Sequence, residues 1–179
     1  MKGVVFDILR DMIEESYGLE GWQSIIDKAG SNGIFVSTKT YHDAELMALV
    51  SAASDITGIS INDLVFAFGE FMIPNFYKRF PELFNSAPNF LKFLISVDQI
   101  IHVEVRKLYP DAGLPTFDYS DESPTALTMI YKSPRKLCRL AEGLISGSAK
   151  HFDQQYRIDH DPCMHDGHDH CSLKVSLVN

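Results

Sequence analysis

Cysteine is scarce and basic charge is in deficit. Three cysteines in 179 residues, Cys138, Cys163 and Cys171, are too few and too C-terminal to staple a chain of this size, which points to reduced thiols or metal ligands. Sixteen Lys and Arg against 24 Asp and Glu leave a formal charge of −8, so a nucleic-acid surface, whose affinity comes from neutralising phosphates, is not expected. No run approaches the roughly 18 apolar residues of a membrane span, and Asp7, Arg10 and Asp11 interrupt the N-terminus before a signal-peptide core could form. A cytoplasmic chain with no membrane partner is the expectation. There is no phosphate-binding glycine loop, no nucleophile elbow, no zinc-protease motif and no carboxylate pair spaced for glycoside hydrolysis.

What remains is the composition of a globular protein: 45% hydrophobic, 22% charged and 11% aromatic residues, in a length that suits one domain with a core of its own. Apolar positions in the first hundred residues recur at three and four, predicting helices: Val4, Val5, Ile8, Leu9, Met12 and Ile13 on one stripe, then Trp22, Ile25, Ile26 and Ala29 up to the Gly30–Gly33 break. A further helix starts near Asp43. Ser60 followed by Asp63 predicts the cap of a helix carrying Leu64, Val65, Phe68, Phe71 and Met72, kinked by Pro74, and another runs from about Pro88 to Leu108. After Pro110 the pattern becomes extended. Pro115 to Tyr119 and Thr125 to Tyr131 read as a hairpin. Ser133 and Pro134 read as the cap and first position of a helix with Leu137, Leu140, Ala141, Leu144 and Ile145, ending near Gly147. Two last strands, around Phe152 to Ile158 and Ser172 to Val178, complete an α+β fold: a helical N-terminal part to about residue 60 and a mixed part from about 61 with a four-stranded antiparallel sheet, together one domain over 1–179.

Two motifs stand out. On the 88–108 helix, Leu91, Leu94, Ile95, Ile101, Val105 and Leu108 form the predicted buried stripe, and His102 lies on or beside it. An imidazole among aliphatic side chains is either a core histidine bonded to Asp98 one turn earlier or an axial ligand to haem iron; spacing leaves both open. Tyr131, Ser133 and Arg135 form Tyr-x-Ser-x-Arg at a strand end, where two hydroxyls and a guanidinium suit paired carboxylates or simply cap a helix. A third stretch, His160 to Cys171, packs four histidines and two thiols into one turn. With Cys138 able to swing in from the polar flank of the preceding helix, it reads as a closed zinc-type site or as a solvated acidic turn.

Together, His102, Tyr131-x-Ser133-x-Arg135, the intervening Pro115 and the Met1-Lys2-Gly3 start resemble the haem-nitric oxide/oxygen-binding (H-NOX) family, bacterial relatives of the haem domain of soluble guanylate cyclase. The resemblance implies haem b with His102 as proximal iron ligand, Tyr131, Ser133 and Arg135 on the propionates, and Pro115, with Phe117 beside it, against the porphyrin. It implies a distal wall of Val5, Leu9, Met72, Phe76, Leu140 and Leu144, all apolar. Oxygen-binding members place a tyrosine where this chain has Leu140, so nitric oxide and carbon monoxide are the expected ligands and dioxygen is not. In the family, nitric oxide opposite the histidine weakens the iron–histidine bond and frees its helix while the porphyrin relaxes against the proline. Some members carry zinc, and their Cys, His, Cys, Cys pattern matches Cys138, His160, Cys163 and Cys171. The implied function is a stand-alone, non-enzymatic sensor acting on a separate histidine kinase or cyclic-di-GMP enzyme. A zinc and thiol redox sensor of the same kind of partner is the alternative, and a haem peroxidase is disfavoured by a distal wall without histidine or arginine.

Overall fold

The computed structural model describes residues 1–178. Helix α1 (Gly3–Ala29) runs through both predicted N-terminal stripes but is kinked at Gly18, whose φ of 71° is left-handed backbone open to glycine at little steric cost. Helices α2 (Asp43–Thr57) and α3 (Ile61–Arg79) follow, the latter capped as predicted: Ser60 Oγ accepts from the Asp63 N–H at 3.1 Å, and Pro74 lies inside the helix. Short α4 (Pro81–Asn85) leads to α5 (Phe90–Ser96), a π-helical turn over Val97–Ile101, and α6 (His102–Leu108).

The predicted uniform helix over 88–108 is therefore three pieces. A π turn takes in one extra residue and rotates everything after it by about 100° relative to an α-helical phase. Hence His102 is buried, Ile101 and Val105 are half-buried, and Leu108, predicted in the stripe, is 64% exposed.

Strands β1 (Thr116–Ser120), β2 (Ala126–Lys132), β3 (Tyr156–His160) and β4 (Cys171–Leu177) form one antiparallel sheet in the order β1-β2-β4-β3. Alternation places Leu173 and Val175 inward against Met129 and Leu127, and α5 and α7 (Cys138–His151) supply the apolar cover, with Phe90, Leu91, Phe93, Leu94, Ala141, Ile145 and Ala149 in the same core. Three expectations are corrected here. Ser133 does not cap a helix at Pro134: residues 133–137 form a turn in which the Lys136 N–H bonds the Ser133 carbonyl, and α7 begins only at Cys138. The helix also continues past Gly147 to His151, and β3 starts at Tyr156 rather than near Phe152. Glycine survives inside α7 because α3 lies against it: a Cβ on Gly143 would stand 2.1 Å from the Phe66 carbonyl oxygen, and one on Gly69 of α3 would stand 2.6 Å from that of Leu140.

The buried residues fall into two clusters. One joins α1, α2 and the first half of α3 around Phe6, Ile8, Leu49 and Phe68; the other joins α5, α7 and the sheet, with Ile73 of α3. Phe76 and Leu144 pack against both. Among the described residues, no single helix is long and apolar enough to cross a membrane.

Candidate functional site

His102 opens α6 and its N–H bonds the Val97 carbonyl across the π turn. The residue is 8% exposed, with Nδ1 3.0 Å from Asp98 Oδ1 and the ring 6.0 Å from that of Phe117 on β1. Burial pushes the imidazole below its ordinary pKa, outweighing the hydrogen bond and charge of Asp98, which pull the other way. The result is a neutral ring whose Nδ1–H donates to a carboxylate and whose Nε2 lone pair is left for a metal. His102 is thus bonded to Asp98, as the first account has it, and that bond orients the imidazole without using Nε2.

Tyr131, 2% exposed on β2, accepts from the Leu137 N–H at 3.0 Å, and Ser133 Oγ accepts from the Arg135 N–H at 3.3 Å. The three donor residues thus come together on the 133–137 turn, not on a first helical turn. The Arg135 guanidinium donates through Nε to Asp43 Oδ2 at 2.7 Å, and the other Asp43 oxygen accepts from the Met1 ammonium at 2.9 Å. Burial alone would raise the Asp43 carboxyl, but the hydrogen bond from Met1 and the charges of Arg135 and the N-terminus outweigh it and hold it below the usual carboxylate range. Asp43 was missed by sequence reasoning. Its only signal was an acid at a helix start, which does not reveal a partner 92 residues away.

Val5, Leu9 and Met72 are buried in the N-terminal cluster, with Leu140 packed against it and Phe76 and Leu144 touching both clusters. Phe117 lies in the sheet-side cluster with Tyr131, their rings 5.5 Å apart, and Pro115 is half-buried just before β1. The residues present fit a flat iron cofactor bearing carboxylates. They offer an oriented neutral imidazole, apolar side chains from both clusters, and an arginine on the same turn whose backbone bonds two hydroxyls.

The second constellation is tighter. Cys138, His160, Cys163 and Cys171 each bring one ligand atom to within 4.8 Å of the others. Cys138 need not swing in, as expected from the sequence: it is 3% exposed at the start of α7 and already in the cluster. Its Sγ lies 3.9 Å from that of Cys163, which lies 3.8 Å from that of Cys171. A tetrahedron with metal–sulfur bonds of about 2.3 Å has edges of about 3.8 Å. The His160 Nε2 is buried without a hydrogen-bond partner, while its Nδ1 bonds Glu142. Burial and the neighbouring thiols push Cys138 up to about 12 and Cys171 upward too; a divalent cation held among them reverses that preference. The Met164 N–H donates to the Cys171 sulfur at 3.2 Å. His165 and His168 are exposed and His170 half-buried, outside this group.

A protein-family model described as Haem-NO-binding matches residues 2–160. Soluble guanylate cyclase gcy-31 of Caenorhabditis elegans is 28% identical over 143 residues, 76% of this chain and 20% of that protein. Soluble guanylate cyclase 89Db of Drosophila melanogaster is 24% identical over 157 residues, 85% of this chain and 23% of that protein. The chain thus spans about a fifth of the length of these curated relatives. Among solved structures, an H-NOX protein from S. oneidensis in the Fe(II)NO ligation state has a TM-score of 0.94 at 35% identity, covering 100% of both chains. The unliganded Fe(II) H-NOX protein from K. algicida has a TM-score of 0.91 at 32% identity, covering 100% of this chain and 97% of that one.

Proposed function

From the premise that this chain belongs to the haem-NO-binding, or H-NOX, family of gas-sensor domains, we propose that it binds nitric oxide and carbon monoxide at ferrous haem, excludes dioxygen and signals to a separate protein by moving α6. The observation that carries this reading is the buried, Asp98-oriented imidazole of His102 at a π turn. Haem, when bound, supplies the ferrous iron that takes the gas; His102 would ligate that iron, and Tyr131, Ser133 and Arg135 would hold the haem carboxylates.

Selectivity follows from what the distal residues do not offer. Val5, Leu9, Met72, Phe76, Leu140 and Leu144 carry no hydrogen-bond donor in their side chains. Bound dioxygen accumulates negative charge and gains from a donor far more than nitric oxide or carbon monoxide does. A hydrogen bond to a charged group contributes about 1.5–3 kcal/mol, so its omission weakens dioxygen binding by roughly ten- to more than a hundredfold.

Movement is supported by how α6 is held. His102 is the one buried residue of that helix among the described residues, while Val103, Arg106, Lys107 and Leu108 face solvent. Whatever the imidazole grips therefore decides where α6 sits, and a ligand that favours one position shifts the population. The resemblance points to a histidine kinase or a cyclic-di-GMP enzyme as recipient. The cyclase activity named for the longer relatives is not carried over to a chain that matches a fifth of them.

Cys138, His160, Cys163 and Cys171 are proposed to hold zinc, four ligands closing the shell and favouring a structural role over catalysis. Three reduced thiols, of which Cys163 is half-buried while Cys138 and Cys171 are buried, favour a second reading as a redox input to the same output. Absorption spectra of the purified ferrous protein test the first reading: a five-coordinate spectrum unchanged in air and altered by nitric oxide is expected, with haem retention impaired in His102→Gly. A persistent oxy spectrum, or a chain that takes up no haem, overturns it.

A further inference from the structure

Glu142 is a charged residue only 7% exposed, on α7, and no motif accounts for it. Its side chain bonds His160 Nδ1 through one oxygen and Arg139 Nη1 through the other. Arg139 in turn stacks over the Phe66 ring at 4.4 Å and reaches Asp63 at 3.7 Å, both on α3. A carboxylate is retained at such depth only where its charge is matched and its lone pairs are used. Arg139 matches the charge; the remaining use is the imidazole.

That imidazole is the anomaly. If the contact with Glu142 were merely an ion pair to a protonated ring, Nε2–H would be a buried donor with nothing to accept it. If the ring's proton sits on Nδ1, shared with Glu142, Nε2 is a buried lone pair with no donor. Either state is unfavourable unless a partner arrives, and only the second has one available in kind: a cation among the three sulfurs. The carboxylate therefore selects the nitrogen that faces the thiols, fixes the ring's orientation and makes it a stronger donor.

We propose that Glu142, itself held by Arg139, is the positioning residue that makes His160 the fourth, Nε2-bound ligand of a metal site with Cys138, Cys163 and Cys171. This rests on the zinc reading above. It ties the cluster to α3 as well, through Arg139 on the same helix that presents Leu140 and Leu144.

The test uses the full haem-loaded chain, with Zn2+ competed against a chromophoric chelator and Co2+ as spectroscopic probe. Glu142→Leu, which suits a buried position, is expected to weaken Zn2+ binding by about 10- to 100-fold. Its Co2+ spectrum should lose the intense visible bands of a tetrahedral site with three sulfurs and one nitrogen. Glu142→Gln keeps an oxygen that accepts from Nδ1–H and should bind within about threefold of the unaltered chain. Should Glu142→Leu not fold, Glu142→Asp, which withdraws the carboxylate by one methylene, must weaken binding by at least about threefold. Unchanged affinity and cobalt spectrum in Glu142→Leu, or unchanged affinity in Glu142→Asp where that variant carries the test, overturn the positioning role while leaving the metal site standing. An unaltered chain that binds neither Zn2+ nor Co2+ overturns the metal site, and this proposal with it.

Discussion

Asp43 joins three parts of the chain that lie far apart in sequence: the N-terminal ammonium, the start of α2 and the guanidinium of Arg135. Replacing it with asparagine leaves both cations without their shared anion. Because its side chain is 41% exposed, water screens the loss, and a cost on the order of 1 kcal/mol is expected in urea unfolding at neutral pH. The pH dependence follows from the depressed folded-state pKa. The contribution is fully present above the ordinary carboxylate value of about 4 and disappears as pH falls through the lower folded value. The stability gap between the unaltered chain and Asp43→Asn should therefore narrow on acidification below about pH 4; a gap that widens there contradicts the assignment. At this scale the sequence is a partial guide. His102, Tyr131, Ser133 and Arg135 were legible because their residue types are unusual in their setting, whereas Asp43 and Glu142 look like ordinary helix acids until the fold supplies their partners.

Helix α7 depends on what it lacks. Gly143 faces the Phe66 carbonyl so closely that a methyl group there would need the two helices to separate, which overpacking precedents put at about 1–3 kcal/mol. Gly143→Ala is expected to lower the urea midpoint with an unchanged slope, since the surface exposed on unfolding is the same. A midpoint equal to that of the unaltered chain would mean that α3 and α7 are less tightly apposed. Most elements were readable from periodicity, including the Ser60 cap and the hairpin, because α and β repeats differ in phase over a few residues. The π turn was not, since a single widened turn leaves composition untouched and only shifts the face presented by His102 to Leu108. The late start of α7 was hidden for a related reason: Ser-Pro is a good helix opening, yet here the backbone turns through Lys136 at φ 51° before the helix begins.

The sheet order sets the two constellations side by side. Because β2 pairs with both β1 and β4, one row of residues crosses the sheet from Phe117 through Tyr131 to Cys171. The ring packed beside His102, the phenol bonded to the 133–137 turn and a thiol of the Cys/His cluster are therefore consecutive cross-strand neighbours, and directly opposed residues in a sheet move little relative to one another. From the other side, α7 begins in the cluster with Cys138 and carries Leu140 and Leu144 to the boundary between the two cores. Loosening the Cys138 to Cys171 end should then be felt at Tyr131 and along α7 at once, without any contact between a metal and haem. With zinc held as proposed, removing it with a chelator, or replacing Cys138 and Cys163 together by serine, is expected to abolish bound zinc and to speed haem transfer to an apomyoglobin acceptor several-fold, about 1 kcal/mol of lost retention. Replacing exposed His168 by alanine supplies the control and should change neither quantity. Haem loss at an unaltered rate from zinc-free protein would show that the cross-sheet row transmits nothing, and that the two sites share a scaffold without sharing strain.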